Sequence, residues 1–389
     1  MPKKKTGRGA LGAGNIRQRK DGKWEARYTA GFDPGTGKQI QRSIYGKTQK
    51  EVLKKLQQAQ SDLETGSYVE PSKMTLGEWL DIWLNDYLVN IKQSTAASYS
   101  THIRIHIKPA LGAVQLQKLH PHQIQGFING LSRKGKAPKT VKNIHGTFHE
   151  ALDQAVKLGY LRSNPTEVCN LPRVVRPEIK VMPDDMVSRF LSAILGHALE
   201  SLFFVVLFTG LRQGEILGLA WDGVDFDNGT LLINKQLKKE KMKAGKYFID
   251  TTKHDKVRTI RPSSFVMAKL KERKAQQAQD QLMAGSAWDN PWNLVFTNAL
   301  GGHLVHHTVR TNFKRIVADL GEPELTFHSM RHSYVVISLM NGDDIKTVQN
   351  NTGHYASSFM LDTYGHVLDK MKQESASRMD QYIEQARKV

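Results

Sequence analysis

The chain has 389 residues, of which 39% are hydrophobic and 24% are charged, and its formal net charge is +19. This composition excludes a disordered, collagen-like or membrane-channel protein, and the single cysteine excludes an intramolecular disulfide and a thiolate cluster. The longest fully apolar run, 202–208, is far below the ~20 residues that span a bilayer, and no apolar segment follows the basic N-terminus. The charge indicates a polyanionic partner, with nucleic acid as the first candidate and a membrane surface as the second.

The positive charge is concentrated at the N-terminus. Residues 1–60 hold 15 Lys and Arg against four Asp and Glu, which is +11 of the total of +19. After a basic, glycine-rich arm, the runs 15–19, 24–30 and 39–45 predict strands, with turn signals at Asp21-Gly22 and at 33–37. Thr48 and Glu51 form a capping-box pattern that predicts a helix to about Glu64. The sequence therefore predicts a three-stranded sheet with one helix within 1–68.

Six basic side chains lie on or next to these predicted strands. A basic sheet can enter a DNA groove and pair with phosphates. We therefore interpret this segment as a DNA-binding domain, with a solvated basic face that has no partner as the alternative. The six residues are Arg17, Arg19, Lys23, Arg27, Lys38 and Arg42.

The second predicted domain, 74–168, is a bundle of four helices. Apolar residues from Leu76 to Tyr87 recur at helical spacing. Further helices are predicted at 94–105, 120–131 and 139–158, with Pro109 among the separators. Two segments, 66–73 and 171–183, are predicted linkers, and no internal repeat is visible.

The third predicted domain, 180–389, is mixed and mostly α-helical. Helices are predicted at 185–195, 199–208, 265–282, 308–320, 331–340, 345–350 and 367–386. A small β-sheet is predicted from 225–234 and 247–262. The fold class is therefore multidomain and mainly α, with small β-sheets at the N-terminus and in this last domain.

Five places in the last domain carry reactive or charged side chains, and each alone is a weak signal. An Arg follows a glycine turn, a Lys lies in a polar hairpin tip, and a His and an Arg are spaced i and i+3 on a helix. A Gly-His pair and a Tyr next to a glycine come last. In order, these residues are Arg212, Lys253, His328 with Arg331, His354 and Tyr364.

The order and spacing of these six residues resemble the tyrosine recombinases, the phage integrase family, which includes integrases of conjugative transposons and temperate phages. The Gly-Leu-Arg-x-x-Glu turn, the His-x-x-Arg box and the Gly-His pair are all present. Thr352 replaces a leucine that the family often has. Lys253 and Lys256 lie in the same predicted hairpin, and the family pattern favours Lys253. The two preceding domains resemble the arm-type and core-binding domains of such integrases.

These residue types suit phosphoryl transfer on DNA. Two guanidiniums and His354 can donate to the non-bridging oxygens, where charge develops. Tyr364 would be the nucleophile, His328 would accept its proton, and Lys253 would protonate the leaving 5′-oxygen. The resemblance implies a 3′-phosphotyrosine intermediate. No metal or other cofactor is expected, because the sequence has neither a phosphate-binding glycine loop nor a two-metal carboxylate cluster.

Other reactive side chains have structural interpretations. Glu215 could orient Arg212, but an ordinary helix pair is the favoured interpretation. His332 is assigned a supporting role, and Cys169 is expected to be inert. The spacing of His303, His306 and His307 can bind metal, but phosphate contact is favoured because no cysteine or carboxylate lies nearby.

The resemblance also implies partners. These are double-stranded DNA at core and arm sites, a homotetramer assembled on DNA, and an accessory directionality factor, with no membrane partner and a location in the cytoplasm of a bacterial host. The amphipathic C-terminal helix, with Leu368, Met371, Met379, Tyr382 and Ile383, is expected to pack on its own domain or on a neighbouring protomer. A type IB-like topoisomerase and a non-catalytic DNA-binding regulator are the alternatives to an integrase.

Overall fold

The structure of the chain is a computed structural model. It describes residues 15–33, 35–65, 68–175, 179–240, 245–251, 257–353, 376–377, 379–380 and 382–387. The chain divides into two compact units, Met1–Val175 and Arg176–Val389, and each is described by itself. None of the described helices is both long and apolar enough to cross a bilayer.

The first unit begins with the predicted three-stranded sheet. Strands β1 (Asn15–Gln18), β2 (Trp24–Phe32) and β3 (Gln39–Gly46) are antiparallel in the order β1-β2-β3. Helix α1 (Gln49–Glu64) packs on one face of the sheet, where Ala26, Tyr28, Val52 and Leu56 are buried. The predicted elements are confirmed. The predicted capping box is only half formed, because Thr48 accepts from the amide of Glu51 while the Glu51 carboxylate accepts from the amide of Lys47.

The four-helix bundle of the first unit is also confirmed. Its helices are α2 (Leu76–Asp86), α3 (Gln93–His102) with its continuation α4 (Lys108–Leu111), α5 (Pro121–Arg133) and α6 (Pro138–Lys157). Trp79 is fully buried at its centre, and its indole N–H donates to the Ala151 carbonyl at 2.9 Å. Because this donor has a partner, the large aromatic ring can be buried without an unsatisfied polar group.

The prediction that Pro109 separates two helices is wrong, because the helix continues through it. The segment Ile103–Ile107 forms a π-helical turn, and the amide of Lys108 donates to the carbonyl of Ile103, five residues back. Pro109 has no N–H to donate to Ile105, and the wider turn accommodates that loss. The helical path therefore runs from Gln93 to Leu111 without a break.

The predicted linker is irregular at 68–73, but it is bound on both sides. The hydroxyls of Tyr28 and Tyr68 lie 3.1 Å apart, and Glu70 pairs with Arg42. Buried Asp62 of α1 also forms an ion pair with Arg162, which follows α6. The sheet and the bundle keep separate hydrophobic cores. The domain boundaries 1–68, 74–168 and 180–389 stay a prediction.

The second unit is mostly α-helical around one large core. Rings of Phe190, Phe203, Phe313 and Phe327 pack against each other at centroid distances of 5.7–6.3 Å. The helices are α7 (Asp184–Ile194), α8 (Glu200–Thr209), α9 (Gln213–Leu217), α10 (Ser264–Ala284), α11 (His306–Asp319), α12 (Phe327–Met340) and α13 (Ile345–Thr352). The predicted helices are confirmed, and α12 begins four residues earlier than predicted, so that it includes His328. The described residues of 367–386 are all helical, and the remainder of that predicted helix lies outside the described residues.

The predicted single sheet of the second unit is two sheets. Strands β4 (Val224–Asp225), β5 (Thr230–Ile233) and β8 (Arg258–Ile260) form one, and β6 (Lys235–Lys239) and β7 (Tyr247–Thr251) form the other. Strands β7 and β8 therefore belong to different sheets, and the predicted hairpin tip with Lys253 lies outside the described residues. Alternation along a strand reports which face is buried but not which strand is its partner.

We expect Phe148→Ala to destabilise the bundle by about 3–5 kcal/mol, because this fully buried ring would leave a cavity. Native-state hydrogen exchange of the α5 and α6 amides measures the change. Val89→Ala, at a side chain 81% exposed, should leave these exchange rates unchanged. Equal exchange in Phe148→Ala and wild type would contradict the packing described for this core.

Candidate active site

Arg212 lies at a sharp turn between two helices. Helix α8 ends at Thr209, Gly210 adopts a left-handed conformation with φ 63°, and Arg212 is the N-cap of α9. A Cβ on Gly210 would lie 2.5 Å from the ring of Tyr334, so only glycine fits. The turn therefore fixes the backbone two residues before the Arg212 side chain.

Glu215 orients Arg212, and the sequence interpretation of an ordinary helix pair is incomplete. The Glu215 side chain is only 1% exposed. It accepts from the Arg212 amide at 3.0 Å and from Arg212 Nη1 at 2.8 Å. It also accepts from Arg258 Nη1 at 3.1 Å and Nη2 at 2.7 Å. Burial opposes ionisation, but the two arginines outweigh it and lower the pKa of Glu215 to about 2.

Arg258 is a site residue that the sequence interpretation missed. Its Nε donates to the carbonyl of Asn351 at 2.8 Å, so it joins β8 to the end of α13 as well as to Glu215. A signal was present in the sequence, because alternation places Arg258 on the same face of β8 as buried Ile260. A charged residue whose side chain points to the buried face of a strand requires a partner of opposite charge.

Arg331 lies on α12 and is 1% exposed. Its Nη1 donates to the Gly210 carbonyl at 2.6 Å and its Nη2 to the Thr352 carbonyl at 2.6 Å. Arg212 Nη2 donates to the next carbonyl, that of Gly353, at 2.8 Å. The two predicted arginines are therefore brought together, because both are bound to the turn that immediately precedes His354.

His328 lies in the first turn of α12, one helical turn before Arg331, and it keeps an exposed edge. Desolvation, followed by the positive charges of Arg331 and Arg212, lowers its pKa to about 4. His332 packs edge-on against His328 with 4.7 Å between ring centroids, and desolvation and these neighbours lower its pKa to about 4 as well. Both imidazoles are therefore neutral near pH 7.

The remaining predicted catalytic residues, Lys253, His354 and Tyr364, lie outside the described residues, as does Lys256. Within the described residues, no three His, Cys, Asp or Glu side chains gather in a group that could hold a metal ion. His303 and His306 instead pack against the ring of Tyr247, with centroids 4.5 and 5.6 Å away. Half-buried Cys169 contacts backbone carbonyls at 3.7 and 3.9 Å, and desolvation raises the pKa of its thiol.

The six predicted DNA-binding residues of the N-terminal sheet are all exposed but do not share one face. Arg17 and Arg27 lie on the face opposite α1, and the Arg19 guanidinium lies 5.3 Å from the ring of Tyr45 on that side. Arg42 pairs across the strands with Tyr28 and so lies on the α1 side. Lys23 and Lys38 flank the strands.

Two family models match the chain. Residues 180–371 match the phage integrase family and residues 75–132 match the N-terminal SAM-like domain of phage integrases. A tyrosine recombinase XerC-like protein of Caldanaerobacter subterraneus is 30% identical over 88% of this chain and 92% of its own length. The ICEBs1 integrase of Bacillus subtilis is 24% identical over 95% of this chain and 100% of its own length.

Two groups of solved structures share the fold. A Tn1549 transposon integrase in complex with transposon right end DNA superimposes with a TM-score of 0.66 at 20% identity, over 78% of this chain and all of that chain. A lambda integrase dimer bound to a core site gives a TM-score of 0.54 at 20% identity, over 92% and 97% of the two chains. The chain belongs to the phage integrase family. It is a tyrosine recombinase, an enzyme that cleaves and rejoins DNA.

We expect Glu215→Ala to destabilise the second unit by about 3–5 kcal/mol, because it leaves the Arg258 guanidinium buried without its carboxylate. Hydrogen exchange of the α9, α13 and β8 amides measures this effect. The double variant Glu215→Ala/Arg258→Leu should recover part of the loss, since it removes the unpaired charge. Glu324→Ala, at an exposed carboxylate, is the matched control. A double variant less stable than Glu215→Ala would contradict this account.

Proposed function

We propose that the chain integrates and excises a mobile element or prophage by site-specific recombination, through a 3′-phosphotyrosine formed by Tyr364. The observation that carries the proposal is the convergence of Arg212 and Arg331 on the turn before His354. Relatives that are integrases of a transposon, of ICEBs1 and of Staphylococcus phage L54a support a mobile element as the substrate. Since these relatives come from bacteria and from a phage of Staphylococcus, we expect the protein to act in the cytoplasm of a bacterial host.

The two arginines would bind the scissile phosphate. A guanidinium has five N–H donors, and the bonds of Arg212 side-chain nitrogens to described residues use two of them. The remaining donors of Arg212, which is 28% exposed, can meet the non-bridging oxygens. Arg331 is enclosed, so we expect DNA binding to expose it. Donors fixed in advance cost no reorganisation during reaction, and one such donor is worth ~10²–10³ in rate.

His328 would accept the proton of Tyr364, and His354 would donate to the phosphate. A phenol with a pKa of ~10 ionises poorly near pH 7. An imidazole that is neutral at this pH can take its proton, and nearby guanidiniums favour the phenolate. Lys253, rather than Lys256, would protonate the departing 5′-oxygen. The attack conserves the ester, so a second 5′-hydroxyl can displace Tyr364 and rejoin a different strand without ATP or metal.

The first unit would hold the DNA. In this proposal the bundle binds the core site, and the basic N-terminal sheet binds a separate arm site through Arg17, Arg19, Lys23, Arg27, Lys38 and Arg42. Arg42 would share its guanidinium between DNA and Glu70, with which it pairs. Exchange between two duplexes requires several protomers, and a lambda integrase tetramer on a Holliday junction is among the structures of similar fold. We propose a homotetramer on DNA, with an accessory factor that sets direction.

The variant Tyr364→Phe should abolish covalent capture of DNA. Purified chain would be mixed with labelled duplexes from the ends of its own element, each with a nick beside the crossover point. Wild type should give a shifted, protease-sensitive band on a denaturing gel, and Tyr364→Phe should give none while it still binds the DNA. A band from both proteins would mean that another residue is the nucleophile.

Two controls separate the alternatives. Binding without covalent capture by wild type would favour a non-catalytic regulator. Capture without strand exchange between two labelled duplexes, together with relaxation of supercoiled DNA, would favour a topoisomerase. The variant Tyr382→Phe, at an exposed tyrosine of the C-terminal segment, should be captured like wild type.

The cleavage rate should stay constant between pH 8 and about 5.5 and then fall toward pH 4. His328 works only when neutral, and because its pKa is lowered to about 4, protonation removes it only at acidic pH. Single-turnover cleavage of the nicked duplex, at DNA concentrations that saturate binding at each pH, measures the profile. A midpoint near ~6.5, the ordinary histidine value, would contradict the assignment.

A further inference from the structure

A carboxylate is buried between two exposed arginines on the outer face of the N-terminal sheet. The outer face of the N-terminal sheet, opposite α1, carries Asn15, Arg17, Glu25, Arg27, Ser43 and Tyr45. The side chains of Arg17 and Arg27 are 57% and 52% exposed, whereas that of Glu25 is 3% exposed. A carboxylate is almost never buried this far unless it is paired, so its partners define what it does.

Four side chains donate to Glu25. Arg17 donates to Oε2 from Nε at 2.8 Å and from Nη2 at 2.7 Å, and Arg27 donates to Oε1 from Nε at 3.1 Å. The hydroxyls of Ser43 and Tyr45 donate to Oε1 at 3.1 and 3.4 Å. The Arg17 hydrogen bond is the largest cause that lowers the pKa of Glu25, to about 2. The carboxylate is therefore ionised under all working conditions and links all three strands.

This bonding leaves one edge of each guanidinium directed away from Glu25. Only Nε of Arg27 contacts the carboxylate, and neither terminal nitrogen bonds to another described residue. A fixed pair of terminal N–H groups is the fork that binds guanine O6 and N7 in the major groove. A lysine would serve as well for a phosphate contact, and it would not need a carboxylate to fix its plane.

The dimensions of the sheet suit a groove. Neighbouring strands lie ~4.8 Å apart, so β1 and β3 are about 10 Å apart, and the major groove of B-DNA is ~12 Å wide. Arg27 lies on the central strand, where its cross-strand neighbours are Asn15 and Ser43. Short polar neighbours leave the middle of the face free for base edges.

We propose that Glu25 is a positioning residue that fixes Arg27, and with it Arg17, for recognition of guanine in the major groove, and that it thereby sets the sequence preference of the N-terminal sheet. The inference rests on the proposed arm-site binding and deepens it. Glu25 would not touch DNA. It would act by holding each of the two arginine side chains in a single rotamer with a fixed guanidinium orientation. This reduces the side-chain entropy lost on binding.

For Glu25→Gln, a positioning role and a purely electrostatic role predict opposite changes in affinity for the preferred sequence. Glu25→Gln removes a negative charge from a DNA-binding face, so simple electrostatics predicts tighter binding to every DNA. The loss of a positioning carboxylate instead predicts weaker binding to the preferred sequence and unchanged or tighter binding to other DNA. Glu64→Gln, at an exposed residue that ends α1, makes the same change of charge away from the face and is the matched control.

The experiment uses the full chain and duplexes from the ends of its own element. Footprinting identifies the site whose protection is lost in Arg27→Ala. Each guanine of that site is then replaced by 7-deazaguanine, which removes the N7 acceptor and keeps the base pair. Wild type and Glu64→Gln should lose about tenfold in affinity at one or two positions, within the ~1–3 kcal/mol of a bidentate contact. Thermal unfolding of each variant checks that the sheet stays folded.

Glu25→Gln should bind the unmodified site about tenfold more weakly than wild type, and it should no longer discriminate against 7-deazaguanine. Its binding to a random-sequence duplex should be equal or tighter. Arg27→Lys keeps the charge and loses the fork, so it should behave in the same way. If Glu25→Gln strengthens binding to both duplexes, or keeps the discrimination of wild type, Glu25 has only a structural role.

The footprint of Arg27→Ala tests the proposed arm-site function independently of the role of Glu25. If Arg27→Ala leaves every footprint intact, the N-terminal sheet does not bind the element ends, and the proposed arm site is wrong whatever Glu25→Gln does. If Arg27→Ala removes a footprint that no 7-deazaguanine substitution weakens, the face contacts phosphates. Arm-site binding would then stand, and guanine recognition would be refuted.

Discussion

Two arginines that share one buried carboxylate fix the geometry of the candidate active site. Glu215 holds Arg212 at the start of α9 and Arg258 on β8, and Arg258 holds the end of α13. Arg212 and Arg331 then bind the carbonyls of Gly353 and Thr352. Four chain segments, at α9, β8, α12 and the end of α13, thus meet at one place. A buried carboxylate is stable there because the nearby guanidiniums outweigh its loss of hydration.

A buried glutamate that binds two arginines occurs in the first unit as well, with a different consequence. Glu25 is also buried, also binds two arginines, and also has its pKa lowered to about 2. In the second unit the arrangement places an arginine beside the proposed site of phosphoryl transfer. In the first unit it holds two arginines that remain half exposed on an open face. A chain with a net charge of +19 thus uses buried acids to direct particular cations.

In the proposed function, DNA binding and reactivity are separated between these two places. Exposed lysines and arginines can attract any DNA, because phosphate pairing carries no sequence information. Arg212 is held by a carboxylate and a backbone carbonyl, and His328 by close packing, so their positions are set before DNA arrives. The same packing keeps His328 neutral, because desolvation and the nearby positive charges lower its pKa.

The sequence by itself determined the fold class, nearly all helices, the N-terminal sheet and the set of candidate catalytic residues. Helical periodicity, strand alternation and the order of motifs are patterns along the chain, and they can be recognised in a single sequence. The tertiary structure decided which strands pair, and therefore that β7 and β8 belong to different sheets. It also decided that Pro109 lies within a helix and that Arg258 and Glu25 are buried partners of arginines. The strand pairing and the burial of Arg258 depend on contacts between residues distant in the chain, because a charged side chain can be buried only where the fold brings it a partner.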